Sequence, residues 1–208
     1  DFNGDSYPDL YVANYQLNAK RIDTGTPDRL WLSDGKGGFV GAHAGVQQNP
    51  LLCGRGVSPS DFDGDGDVDV FVSNYRLDRD LLFVNEEGRM RELGRERGVA
   101  GVLQRGSYGH TIGAAWGDLD GDGDLDLVCA NLAHPRFIAF SDASFVYLQG
   151  PNGQFRDVRE QVGVWFEETH SNPTLWDFDN DGDLDLTLTS IYAGRPSYTF
   201  RNRLVEDG

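Results

Sequence analysis

Cysteine, histidine, basic residues and long apolar runs are all scarce in this chain, and each scarcity excludes something. Its 208 residues include two cysteines, Cys53 and Cys129, 76 positions apart, which is neither a disulfide framework nor a metal-binding spacing. Cys129 sits in the apolar run Leu127-Val128-Cys129-Ala130 and reads as a small core residue. No apolar run approaches the roughly 18 residues of a membrane-crossing helix, so no transmembrane segment is expected. Helical periodicity is weak; at most a short turn is expected around Arg91 to Arg97 or Asp157 to Val162. There is no Gly-x-Ser-x-Gly elbow, His-Glu-x-x-His helix or phosphate-binding loop. With 18 basic against 34 acidic residues the formal net charge is -16, which repels a phosphate backbone. Arg89, Arg91, Arg95 and Arg97 cluster, but Glu92 and Glu96 interleave them, so no nucleic-acid partner is expected.

What is present is aromatic surface and a repeat. Aromatic residues make up 12% and hydrophobic residues 38% of the chain, enough apolar surface to fold despite the charge. The charge is local: segments 1–9, 61–69, 118–126 and 177–185 hold 3, 5, 5 and 5 Asp and no basic residue. These 36 positions carry -18, and the other 172 carry a net +2. The segments recur at intervals of 60, 57 and 59 residues, a period that calls for a repeat architecture.

Each acidic segment leads into a strand-like run closed by a polar residue, ending at Asn14, Asn74, Asn131 and Ser190. A second run with a central aromatic follows, around Trp31, Phe83, Tyr147 and Phe200. Gly-rich turns then precede Phe39, Met90 or Phe155 and a Gly-Val pair. Short β-branched and aromatic runs punctuated by Gly, Asn and Pro indicate antiparallel β-structure, and about four runs per period is the content of a propeller blade. With the runs lettered A to D and the acidic loop joining A to B, the chain reads BCD, ABCD, ABCD, ABC. The fold class expected is all-β: one propeller fragment over 1–208, with repeats near 1–50, 51–105, 106–166 and 167–208. Its terminal sheets would expose edges, so the missing blades are expected from the remainder of a longer chain or another subunit. The B-to-C spacing varies (16, 8 and 15 positions), and such loops on a rigid scaffold are where recognition resides.

The acidic loops read as calcium sites. Carboxylates at alternate positions converge when the backbone wraps around an ion, and Gly at the sixth position permits the turn. Oxygen donors without His or Cys select calcium over zinc or copper. The candidate ligands are Asp61, Asp63, Asp65, Asp67 and Asp69; Asp118, Asp120, Asp122, Asp124 and Asp126; Asp177, Asp179, Asp181, Asp183 and Asp185. In each, positions 1, 3, 5 and 9 give side chains and position 7 a backbone carbonyl. The first loop offers Asp1, Asn3, Asp5, Tyr7 and Asp9, with Asn3 and Ser6 departing from the pattern. An EF-hand needs an acid at position 12, where this chain has Val12, Val72, Cys129 and Leu188, so that motif is excluded. The apolar residues at positions 2, 8 and 10 should plug each loop onto a sheet. Plain polar turns would explain one or two Asp per loop, not five in alternation.

The pattern D-x-D-x-D-G-x-x-D, then a strand ending in Asn, then an aromatic strand with a Gly-rich turn, resembles the FG-GAP/VCBS repeats of integrin-α-type propellers. A-G-V at Ala44 to Val46 and G-A-A-W-G-D at Gly113 to Asp118 further resemble the ASPIC/UnbV, cartilage-acidic-protein-like group. The resemblance implies a propeller, commonly of seven blades, with up to four calcium ions in the A-B hairpins and an extracellular, cell-surface or periplasmic setting. The function it favours is a scaffold for adhesion, surface assembly or ligand recognition, with a protein or glycan as ligand. The alternative is the propeller domain of a secreted lyase or hydrolase, for which His110, Glu167, Glu168 and His170 are the acid-base candidates. Trp165 and Phe166 could then stack on a sugar. Trp116 and Trp176, at the ends of A strands, are expected in the core, and His43 and His134 sit in turns.

Overall fold

The structure is a computed structural model and describes residues 1–15, 26–42, 52–103, 106–132, 142–164 and 169–203. Short extended runs alternate with turns along the described chain: β1 (Leu10–Val12), β2 (Arg29–Ser33), β3 (Phe39–Ala42), β4 (Cys53–Ser60), β5 (Asp69–Tyr75), β6 (Leu81–Glu86), β7 (Arg89–Glu92), the single helical turn α1 (Gly94–Arg97), β8 (Thr111–Gly117), β9 (Asp126–Asn131), β10 (Phe145–Gly150), β11 (Gln154–Asp157), β12 (His170–Trp176), β13 (Asp185–Ser190) and β14 (Tyr198–Phe200). They form four antiparallel sheets, β1-β2-β3, β4-β5-β6-β7, β8-β9-β10-β11 and β12-β13-β14. The order is BCD, ABCD, ABCD, ABC, as the repeat implied, and the sheets do not close into a barrel. A helical turn forms within 91–97, whereas 157–162 makes hydrogen-bonded turns without a helix.

The strict two-residue period of the strands decides which sheets meet. Val70 and Val72 of β5, with Leu81 and Phe83 of β6, face the first sheet, where Phe2 and Leu30 join them. Phe71, Leu82 and Val84, from the opposite faces of the same strands, pack on Leu127, Cys129, Phe145 and Tyr147 of the third sheet. The third sheet repeats the device: Val128, Ala130, Val146 and Leu148 face Leu186 and Leu188 of the fourth. The middle sheets are therefore apolar on both faces, which is why their runs lack polar alternation. Cys129 is fully buried, as expected.

The A strands set how closely the sheets approach. Each complete A strand carries a bulge at the same place, between Gly54 and Gly56, Thr111 and Gly113, and His170 and Asn172. The extra residue re-aims the strand and drives its carbonyl toward the preceding sheet. A Cβ on Gly56 would lie 2.8 Å from Ile112 O, and one on Gly113 would lie 2.7 Å from Asn172 Oδ1 and 3.1 Å from Ser171 O. Gly113, the first glycine of G-A-A-W-G-D, is thus a packing requirement between sheets. Trp116 packs in the core between the second and third sheets. Trp176, expected in the core, is instead 50% exposed, and Phe178 and Leu10 are exposed as well. Trp176 and Leu10 lie on the outer sheets and Phe178 in the loop between β12 and β13, where no further described sheet covers them.

Candidate metal centre

The four acidic loops are wound by their own carboxylates. At position 1, Asp1, Asp61, Asp118 and Asp177 each accept the position-6 backbone N–H, at 2.7, 3.0, 3.1 and 3.1 Å. At position 5, Asp5, Asp65, Asp122 and Asp181 each accept the position-7 N–H, at 2.9, 2.8, 2.9 and 3.3 Å. Gly66, Gly123 and Gly182 take φ of 96°, 95° and 99°, values where a Cβ is strained. Position 4 is also left-handed, at Gly4, Gly64, Gly121 and Asn180, and Gly and Asn are the residues that tolerate it.

Position 9 braces each loop from within. In every loop one carboxylate oxygen accepts the position-2 N–H: Phe2 to Asp9, Phe62 to Asp69, Leu119 to Asp126 and Phe178 to Asp185, at 2.7, 3.1, 2.7 and 3.0 Å. The other oxygen accepts a backbone N–H just after the aromatic of strand C, from Ser33, Asn85, Gln149 and Asn202, each at 2.8 Å. Each oxygen retains a second lone pair, so bracing the loop and ligating a cation are compatible. The amides that follow carry the connection onward. Asn85 Nδ2 donates to Phe2 O at 3.0 Å, Gln149 Nε2 to Phe62 O at 3.0 Å and Asn202 Nδ2 to Leu119 O at 2.7 Å. One chain of hydrogen bonds therefore links all four loops across the sheets. The recurrence of Asn, Gln and Asn two residues after the central aromatic of strand C is readable in the sequence, but its target in the preceding repeat is not.

Three sets of carboxylates converge with ligand atoms within 4.8 Å of one another: Asp61, Asp63 and Asp69; Asp118, Asp120 and Asp122; Asp177, Asp179 and Asp185. Two oxygens on opposite sides of a calcium ion stand about 4.6–5.2 Å apart, so the triads fit such an ion. The first loop is not among these sets; there Asn3 turns its amide nitrogen to Asp5 Oδ2 at 3.0 Å. Asp61 Oδ1 is buried with no hydrogen-bond partner, the state expected of an atom that a cation would satisfy. Burial first, and mutual repulsion after it, raises the carboxyls of the loops. Burial, and then the charges of Asp63 and Asp65, push Asp69 up to about 7 against two backbone N–H donors. Burial and the charges of Asp120 and Asp122 push Asp126 up to about 6, and burial with Asp181 and Asp185 does the same to Asp183, also to about 6. The loops are pre-shaped and carry uncompensated negative charge. The fourth differs, since Arg201 pairs with Asp179 and Asp181.

Of the acid-base candidates, His110 and His170 are described. His110 is buried against the Tyr75 ring at 4.5 Å, and its Nδ1 accepts the Arg76 N–H at 3.0 Å. His170 is fully buried with Nδ1 2.9 Å from Ser144 Oγ. Glu167 and Glu168 lie outside the described residues, as do Trp165, Phe166, His43, His134 and Ala44 to Val46. Among the described residues no helix is long and apolar enough to cross a membrane.

The model of the FG-GAP-like repeat matches residues 1–72 and 61–129. Cartilage acidic protein 1 of Mus musculus is 31% identical over 179 residues, covering 78% of this chain and 25% of that protein. The Xenopus tropicalis protein of the same name is 31% identical over 114 residues, covering 53% of this chain and 17% of that protein. The match thus spans a quarter or less of the length of these relatives. A solved structure described as an Agrocybe aegerita protein that recognises non-reducing terminal N-acetylglucosamine covers 86% of this chain and 48% of its own, at 16% identity and a TM-score of 0.39. At that distance nothing about this chain follows from it. The loops, the sheet order and the family match agree: the chain belongs to the FG-GAP-like repeat family.

Proposed function

We propose that this chain is a calcium-stabilised extracellular propeller segment that serves as a scaffold for adhesion, surface assembly or ligand recognition. The observation that carries the calcium reading is the convergence of three carboxylate triads at the same place in successive repeats, with buried Asp61 Oδ1 lacking any partner. Positions 1, 3, 5 and 9 of each loop hold the ion together with the position-7 carbonyl. When bound, the ion neutralises the clustered carboxylates. The protein's own contribution is to wind the loop in advance, through the position-1 and position-5 carboxylates, and to tie it to strand C through position 9.

Extracellular modules with such ligands bind calcium at roughly 0.1–1 mM, which suits an outside setting where the ion is abundant. The extracellular assignment also draws on the cartilage acidic proteins as relatives. The partner is a protein or glycan, and the exposed faces of the first and fourth sheets take further blades from the rest of the parent chain or from another subunit. Binding to the folded state alone stabilises by about 1.4 kcal/mol at ten times the dissociation constant for each site. Thermal melts in 5 mM calcium and in excess EGTA test the reading. The melting temperature should fall by several degrees without calcium, and superimposable melts would remove its support.

A further inference from the structure

Resting on the calcium reading above, we infer that Arg201 is a tethered counter-ion of the fourth acidic loop, so that this loop takes a divalent cation more weakly than the second and third loops do. Arg201 Nε lies 2.8 Å from Asp179 Oδ2, and a terminal guanidinium nitrogen lies 2.8 Å from Asp181 Oδ2. Those carboxylates occupy positions 3 and 5, two of the places a cation needs. Among the described residues, no carboxylate of the second or third loop forms an ion pair.

The repeat shows what stands at this place elsewhere. Arg201 immediately precedes the residue whose backbone N–H meets the position-9 carboxylate, and its counterparts are Leu32, Val84 and Leu148. All three pack into the cores between sheets. In the fourth sheet Arg201 instead lines a cleft together with Leu119, Val146, Val164, Leu186 and Phe200. Its head reaches out to the loop, as a long cationic side chain can. A guanidinium donates through a planar fork that matches carboxylate oxygens, so it bridges two carboxylates that would otherwise repel. The fourth loop therefore keeps its shape in low calcium.

A cation entering this loop has to displace two charge-assisted hydrogen bonds. It then sits beside a positive group that the chain cannot remove. Among the described residues, no carboxylate of the second or third loop is held in such a pair; Arg97 acts on Asp63 only through its field.

The test is calorimetric calcium titration of the full chain, compared with Arg201→Leu, the residue at the equivalent place in two other repeats, and with Arg201→Gln, which keeps polar donors without the charge. Circular dichroism melts establish that each variant folds, and the second variant stands in should the first fail to fold. The expected result is a fourth-loop site about tenfold tighter in both variants, equivalent to about 1.4 kcal/mol, with the tighter sites unchanged. Equal affinities and equal stoichiometry in wild type and variants would overturn the role of Arg201 while leaving the calcium reading in place. Absence of calcium binding in all three proteins would overturn that reading, and this inference with it.

Discussion

The interior between the second and third sheets contains a carboxyl group whose proton can be tested directly. Asp80 is buried, its Oδ1 accepting the Asn74 N–H at 2.7 Å while Oδ2 lies 2.7 Å from Thr111 Oγ1. Thr111 Oγ1 is also 3.2 Å from Asn131 Oδ1. The single threonine proton faces two acceptors, and a protonated Asp80 resolves this by donating to Thr111, which then donates to Asn131. Burial accordingly pushes Asp80 from 3.8 up to about 8, despite the N–H of Asn74 and the hydroxyl of Thr111. Because the folded pKa is raised, the folded state holds one more proton than the unfolded state between about pH 4 and 8. The contribution is fully present below the unfolded pKa and is lost as pH rises through the folded one, at about 1.4 kcal/mol per pH unit within that window. Asp80→Asn keeps the acceptor for Asn74 and supplies an N–H where the acid supplied O–H. Urea denaturation from pH 5.5 to 7.5 at fixed calcium should therefore show wild type losing about 2.5 kcal/mol relative to the variant over those two units. Other raised carboxylates, such as Asp69 and Asp126, act with the same sign in both proteins and cancel in the difference. The rival arrangement turns the Asn131 amide so that it donates to Thr111 and leaves Asp80 charged. Parallel curves, with the variant destabilised at every pH, would establish that arrangement and refute the neutral acid.

Two further outcomes test the joints between sheets. Gln149→Leu removes the donors to Phe62 O and Leu125 O, at 3.0 and 3.2 Å; leaving the buried Phe62 carbonyl unpaired should cost about 2 kcal/mol in urea denaturation, whereas a change below about 0.5 kcal/mol would show that the amide chain does not join the loops. Gly113→Ala forces a Cβ to within 2.7 Å of Asn172 Oδ1 and should lose about 1–3 kcal/mol, an effect that a thermal melt would register and that an unchanged melt would contradict.

The strand order was legible from local pattern alone, because the two-residue period and the recurring Gly-rich turns are written into each repeat. So was the loop that bears the carboxylates, since Asp at alternate positions with Gly at the sixth has one economical shape. Contacts between repeats were not legible in the same way. Gln149 meets Phe62 across 87 residues, and nothing near either residue names the other. The bulges at Arg55, Ile112 and Ser171 share a place in the fold but no common residue type, so only the registers reveal them. Trp176 stands one position beyond the place of Trp116: it lies opposite Asp185, as Gly117 lies opposite Asp126, so it points from the other face of its strand, and Leu175 is the residue that packs toward the third sheet. Trp116 packs against the second sheet, while Trp176 meets Phe178 and Thr187 at the outer face.

The central claim is that the acidic loops are ion cages, and diffraction from crystals grown in millimolar calcium tests it most directly. The expected result is a cation in the loops of Asp61 to Asp69 and Asp118 to Asp126, held by about six to eight oxygens at about 2.3–2.6 Å. Loops closed by protein hydrogen bonds alone, with no cation within reach of the position-1, position-3 and position-5 carboxylates, would contradict it.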